Sequence, residues 1–199
     1  MTERNEERIL IQKAIEGDRD SLEALLLSCK GKAYSIAFRY MKNEDDAMDA
    51  LQESYIKIFR NLSRFNFESR FDTWVYRIVM NTCNDLYRKN KKNANIISLS
   101  NSYDEEETAG AEFAVADTGA GPEQLYERKE ESRYLLECVN RLNDEHRQVI
   151  ILRDMKGFSY EEISEILDCS LGTVKSRISR ARLRLREIYL EGKNKENKK

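Results

Sequence analysis

Gly157-Phe158-Ser159-Tyr160-Glu161-Glu162-Ile163-Ser164-Glu165-Ile166-Leu167-Asp168-Cys169-Ser170-Leu171-Gly172-Thr173-Val174-Lys175-Ser176-Arg177-Ile178-Ser179-Arg180 reads as two helices and the turn between them. Ser159 followed by Glu162 is a capping box, whose hydroxyl and carboxylate suit the orphan amides at a helix start. The helix it opens, 160–167, is short and amphipathic through Ile163, Ile166 and Leu167. Asp168-Cys169-Ser170 is the turn, and a longer helix is expected over about 171–191. There Val174, Ile178, Ala181, Leu185 and Ile188 recur at helical spacing and mark a buried side. The opposite side centres on Ser176 and Arg180, flanked by Thr173, Lys175 and Ser179. From Leu171 to Arg186 the cations are Lys175, Arg177, Arg180, Arg182, Arg184 and Arg186, with no acid among them. A capped helix, a short turn and a basic helix form a helix-turn-helix. Its long cations suit phosphates, and its small hydroxyls leave polar tips within reach of base edges. The plainer alternative is a solvated basic helix whose charge favours its own C-terminal dipole. The capped helix and turn weigh against it.

Moving toward the N-terminus, Asn143 is placed to cap a short helix that buries Val149, Ile150 and Leu152 and ends before Gly157. Pro122 suits the first turn of another, reaching about Arg141. Residues 98–124 hold seven acids and no Lys or Arg, the only proline, and Gly110, Gly119 and Gly121. Such a segment cannot bury enough apolar surface to offset its ordering entropy, so it reads as a flexible acidic linker. Before it, helices are expected over about 3–16, 20–41, 43–62 and 72–90. In the second of these, Leu22, Leu25, Leu26, Ala33, Ile36, Ala37 and Tyr40 lie near one side. The third is capped by Asn43, carries Glu44, Asp45 and Asp46 in its positive first turn, and has an apolar stripe of Ala47, Met48, Leu51, Tyr55, Ile58 and Leu62. No strand pattern competes. The fold class is therefore all-α, with two small helical domains. An N-terminal helical bundle (1–97) and a C-terminal helix-turn-helix domain (125–199) are joined by the linker. The Lys-rich tail from Lys193 to Lys199 carries no motif and reads as frayed.

The N-terminal half carries two further surfaces. Facing away from the third helix's stripe are Asp46, Asp49, Glu53 and Arg60, with Ile56 among them and Gln52 at the margin. An apolar centre with a charged rim suits a protein partner, although single exposed isoleucines are common. Then come Arg64-Phe65-Asn66-Phe67-Glu68-Ser69-Arg70-Phe71, followed by Trp74 and Tyr76. Between Lys57 and Lys92 there are nine basic and three acidic residues, so aromatics alternate with an excess of cations. That pattern suits single-stranded nucleic acid, with bases on rings and cations on the backbone. Phe71, Trp74, Val75, Ile78 and Leu86 read as core, whereas Phe65 and Phe67 sit in a polar loop and read as functional. Arg77, Asn81, Asn84 and Arg88 form a polar stripe on the following helix.

Other chemistries find little support. Cys29, Cys83, Cys138 and Cys169 are scattered, with no CxxC and no Cys/His pair at ligand spacing, so they read as buried reduced thiols and no metal site is expected. The one histidine, His146, sits near a helix start in a capping or surface role, and no Gly-rich phosphate loop is present, so no enzyme and no cofactor are expected. No run approaches a membrane span and the first residues are charged, which points to a cytoplasmic protein with no membrane insertion. A repressor or activator with a helical sensor and a helix-turn-helix remains the rival. Such a protein needs neither the acidic Ile56 face nor the Phe65/Phe67 loop.

The chain resembles a bacterial extracytoplasmic-function sigma factor of RNA polymerase. The resemblance is carried first by Asp45-Asp46-Ala47-Met48-Asp49-Ala50-Leu51-Gln52-Glu53-Ser54-Tyr55, Phe71-Asp72-Thr73-Trp74-Val75-Tyr76-Arg77-Ile78 and Asn81. In the C-terminal half it is carried by Leu142-Asn143-Asp144-Glu145-His146-Arg147-Gln148-Val149, Gly157-Phe158-Ser159-Tyr160-Glu161-Glu162-Ile163 and Gly172-Thr173-Val174-Lys175-Ser176-Arg177. It spans roughly 21–92 and 125–190.

The resemblance implies that Asp46, Asp49, Gln52, Glu53 and Ile56 dock on the clamp helices of the polymerase largest subunit, with the second-largest-subunit flap as a further contact. It implies that Phe65, Asn66, Phe67, Ser69, Arg70 and Asn81 open the promoter −10 element and hold a flipped base. Arg77, Asn84, Arg88 and Lys89 would support the strand or upstream duplex. Thr173, Lys175, Ser176, Arg177, Ser179 and Arg180 would read the −35 element. The linker would thread the polymerase channels. Core polymerase, promoter DNA and an anti-sigma factor are the implied partners.

Overall fold

The computed structural model describes residues 2–97 and 122–196. Every regular element among them is helical. By packing, the chain divides into two compact units, residues 1–103 with 161–169, and residues 104–160 with 170–199.

The first unit is built from α1 (Thr2–Ile15), α2 (Arg19–Met41), α3 (Glu44–Asn61), a 3-10 turn (Leu62–Arg64) and α4 (Phe71–Ile97). α2, α3 and α4 pack on one another, and α1 lies on α2. Gly17 (φ 101°) breaks α1 from α2, and Lys42 (φ 77°) closes α2 with its amide on the Phe38 carbonyl at 3.0 Å. Asn43 caps α3 as its sequence predicts, its side-chain oxygen accepting from the Asp46 amide at 2.7 Å. Such a cap contributes about 1 kcal/mol. The core joins Leu25, Ile36 and Tyr40 of α2 to Leu51 and Ile58 of α3 and Val75, Val79 and Met80 of α4. Each buried aliphatic side chain contributes about 1.5–3 kcal/mol. Ala33, Ala37, Ala47 and Ala50 are wholly buried, so the helices approach closely. Of the expected core on α4, Phe71 and Val75 are buried, and Trp74, Ile78 and Leu86 are half-buried. α4 runs to Ile97, beyond the expected end near residue 90.

The second unit holds α5 (Pro122–Asn140), α6 (Asp144–Ile150), a π-helical turn (Ile151–Met155) and α8 (Leu171–Glu196); α7 spans Tyr160–Leu167. α6 and α5 both pack on α8. Asn143 caps α6, accepting from the His146 amide at 2.8 Å. The wider π turn lets Ile150, Ile151 and Leu152 all face inward, against Val174, Ile178 and Ala181 in the same core. Arg147, a charged residue in a capping turn, is fully buried, with Nη2 donating to Asp144 Oδ1 at 3.1 Å.

Residues 98–121 of the expected linker lie outside the described residues. The tail differs from its reading. α8 continues through Lys193 to Glu196, because it is held on α5, while 197–199 are outside the described residues. Tyr134 Oη donates to the Tyr189 carbonyl at 2.9 Å, and Tyr189 Oη donates to Glu131 at 2.8 Å. Lys193 lies 5.2 Å over the Tyr134 ring. Tyr134 fits there because residue 192 is glycine: a Cβ would run into the Tyr134 hydroxyl. Gly192→Val should therefore destabilise this unit by about 1–3 kcal/mol through overpacking. A urea midpoint unchanged from wild type would contradict the clasp.

Cys29, Cys83 and Cys138 are buried, Cys169 is half-buried, and all four are free thiols. Burial pushes Cys29 up to about 11 and Cys83 up to about 12, which keeps both protonated and unreactive.

Candidate nucleic-acid and protein interfaces

The basic helix α8 is set by its own start. Asp168 takes a left-handed φ of 50° and ends α7, a conformation aspartate tolerates better than most residues. Ser170 caps α8, accepting from the Thr173 amide at 3.1 Å. This fixes the helix phase, with Val174, Ile178, Ala181 and Ile188 buried and Lys175, Ser179 and Arg180 exposed. Thr173, Ser176 and Arg177 are half-buried beside them. Arg180 folds back on Ser176, its Nη2 donating to Oγ at 3.1 Å and its Nε to the carbonyl at 3.3 Å.

The six cations divide by partner. Arg177 pairs with Glu145 at 3.2 Å, Arg182 donates to Asp154 at 3.1 Å, and Arg184 pairs with Glu187 at 2.8 Å. Lys175, Arg180 and Arg186 have no carboxylate partner among the described residues. Arg177 thus bridges α8 to α6. A groove beside this face is lined by Tyr160, Lys175, Ser179, Arg182, Leu183 and Arg186, a lining with three cations and no carboxylate. Such a surface favours a phosphate backbone.

On α3 the exposed side is broader than the sequence reading. Ile56 is 45% exposed, as the charged stripe predicted, but Met48 (53%) and Phe59 (66%) are exposed with it. Met48 was assigned to the buried stripe. The helix instead buries Ala47, Ala50, Leu51, Ser54 and Ile58, which turns Met48 outward. Residues 48, 52, 56 and 59 follow one another at helical spacing, so Gln52 lies between apolar neighbours. Asp45, Asp49 and Glu53 border them on one side, and Asp46 is tied down by Asn43 and Asn90. Glu53 pairs with Lys57 at 2.8 Å, and the same ammonium donates to the buried Thr82 hydroxyl of α4 at 3.2 Å. The missed signal was the spacing of Phe59 from Met48 and Ile56, which places all three on one face.

The aromatic loop separates into a pin and a tip. Phe65 is 5% exposed, buried where the sequence places it in a polar loop. Its centroid lies 5.3 Å from Trp74, 5.7 Å from Phe71 and 5.0 Å from Phe67. Phe67 is half-buried and takes a left-handed φ of 60°. That conformation costs an ordinary residue about 1–2 kcal/mol, a strain associated with functional loops. Asn66 is exposed and accepts from the Glu68 amide at 3.3 Å, and Ser69 is half-buried. Arg70 is exposed and held by both oxygens of Asp72, whose hydrogen bond and charge raise its pKa.

Along α4, Asn81, Arg88 and Lys89 are exposed and Arg77 is half-buried. Asn84 is half-buried, and its side-chain carbonyl accepts from the buried Tyr40 hydroxyl at 2.9 Å, which ties α4 to α2.

Two outcomes follow. Phe65→Ala should cost about 3–5 kcal/mol, as for a buried aromatic, and Phe67→Ala about 1 kcal/mol or less, measured by urea denaturation. Equal costs would contradict the division of pin and tip. His146 has a buried, unpartnered Nδ1, and burial pushes its pKa below 6.5, with Arg180 and Arg177 adding to the effect against Glu145. The folded chain thus binds fewer protons than the unfolded chain, and stability should fall as pH drops below about 6.5. His146→Gln should flatten that part of the profile, and identical profiles would contradict the assignment.

Residues 25–93 match the family described as Sigma-70 region 2, and residues 132–185 match Sigma-70, region 4. The ECF RNA polymerase sigma-E factor of Haemophilus influenzae is 33% identical over 186 residues, covering 92% of this chain and 94% of that one. The protein of the same name in Escherichia coli strain K12 is 33% identical over 187 residues, covering 92% and 93%. Among solved structures, the sigma factor RpoE of Bartonella quintana, in complex with the anti-sigma factor NepR, superposes with a TM-score of 0.60 at 25% identity, covering 84% of this chain and 95% of that one. CnrH, in complex with the cytosolic domain of CnrY, shares the fold with a TM-score of 0.62 at 24% identity, covering 92% and 96%. The chain therefore belongs to the extracytoplasmic-function sigma factors of RNA polymerase, proteins of transcription initiation.

Proposed function

We propose that this chain gives core RNA polymerase its promoter choice through three separate surfaces. The α3 face, with Asp46, Asp49, Gln52, Glu53 and Ile56 now joined by Met48 and Phe59, docks on the polymerase. Thr173, Lys175, Ser176, Ser179 and Arg180 of α8 read the −35 duplex, with Arg177 exchanging its partly exposed ion pair for a phosphate. Ion pairs of this kind are worth about 0–1 kcal/mol, so exchange is easy. The 65–70 loop and Asn81 capture an extruded −10 base, while Arg77, Arg88 and Lys89 follow the strand. With Phe65 buried, Phe67 is the ring available for stacking. One stack recovers about 1–3 kcal/mol against a few kcal/mol for unstacking a base, so melting needs the polymerase as well. This is binding work without bond chemistry, carried out in the cytoplasm.

The observation that carries this reading is the exposure of Met48, Ile56 and Phe59 on an acidic helix. A repressor or activator has no use for that face. Because the related RpoE is held by NepR, an anti-sigma protein is the further partner proposed here.

Arg180→Ala should lose about 1–3 kcal/mol of discrimination for −35-containing promoters and leave core binding intact. Glu53→Arg with Ile56→Asp, or Phe59→Asp alone, should weaken core binding by about 2 kcal/mol, as for a hot spot. Core affinity by fluorescence titration and promoter choice by transcription separate the two. Equal loss of core affinity from both changes would overturn the division of labour.

A further inference from the structure

α1 lies before residue 25, outside the matched sigma region, and no motif assigns it a role. Yet it packs against the 3-10 turn that leads into the aromatic loop. Its Arg8 places the guanidinium carbon 5.1 Å from the Phe67 centroid, over the ring. Arg8 is exposed and has no carboxylate partner among the described residues. The next residue toward the N-terminus, Glu7, adds to the effect of Asp72 in raising the pKa of Arg70. α1 thus meets the ring of the loop through Arg8.

The ring contact has a consequence for the strand. Phe67 meets Phe65 at 5.0 Å with the rings tilted by 58°, and Arg8 covers a face of Phe67. A base that stacks on that face must displace the guanidinium. The displaced cation stays tethered beside the loop, where the backbone of the captured strand passes. We propose that Arg8 is a positioning residue for base capture: it covers Phe67 in the free chain and moves to a phosphate of the single strand when a base takes its place. This rests on the reading of the 65–70 loop as the −10 contact.

A cation on one phosphate of a single strand changes the slope of log affinity against log salt by about 0.7. The test uses core polymerase reconstituted with the full chain, and forked DNA bearing the single-stranded −10 segment of a promoter that this chain serves. Arg8→Ala should reduce the slope by about that amount, while Arg8→Lys, which keeps the charge, should preserve it. Phe67→Ala is measured alongside and should weaken binding about tenfold. If Phe67→Ala weakens binding while Arg8→Ala leaves the slope unchanged, or if Arg8→Lys loses slope as Arg8→Ala does, the role of Arg8 is overturned. If Phe67→Ala has no effect, the loop reading itself fails and the proposal fails with it.

Discussion

The rotational phase of α3 is the constraint on which the N-terminal unit depends. Asn43 starts the helix, and the small residues Ala47, Ala50 and Ser54 are then fully buried with Leu51 and Ile58. Ser54 satisfies its own buried hydroxyl by donating to the Ala50 carbonyl at 2.6 Å. With small side chains inward, α3 lies close to α2 and α4, and Met48, Ile56 and Phe59 have nowhere to go but out. These three large apolar side chains share one exposed helical face, the feature on which the proposed polymerase contact rests. The acids beside them keep the patch soluble and, in the proposed role, would favour a cationic partner.

The same economy of parts appears in the loop. Burying Phe65 against Phe71 and Trp74 fixes a short polar segment that would otherwise have little to hold it. The neighbouring Phe67 is then presented in a strained backbone conformation with part of its surface open. In the other unit, Ser170 sets the start of α8, buried Val174, Ile178, Ala181 and Ile188 hold it, and Arg177 and Arg182 add weak ion pairs to Glu145 and Asp154. Lys175 and Arg180, which have no carboxylate partner among the described residues, are the cations the proposed −35 contact uses. In each case one residue anchors, and its neighbour at the right spacing is displayed.

Local signals made most of the helices and both asparagine caps legible from sequence, since a cap and a 3.6-residue period act within one or two turns. The basic face of α8 was legible for the same reason. What escaped depends on partners far along the chain. Asn84 looks like part of a polar stripe until Tyr40, 44 residues earlier, donates to it. Phe65 looks displayed because its neighbours are polar, but its burial is set by Trp74 and Phe71 across the loop. Met48 stood at the edge of the apolar stripe, where a modest rotation decides between core and surface. The helical end of α8 depends on Tyr134 meeting a glycine 58 residues away, a fit of shapes that no periodicity encodes.

The most direct measurement is run-off transcription from fragmented genomic DNA by purified core polymerase, with and without this chain, with the 5′ ends mapped. The account predicts new starts that depend on the chain and share two upstream elements at a fixed spacing. An unchanged set of starts, together with tight duplex binding by the chain alone, would contradict it and would leave the exposed Met48, Ile56 and Phe59 face without a purpose.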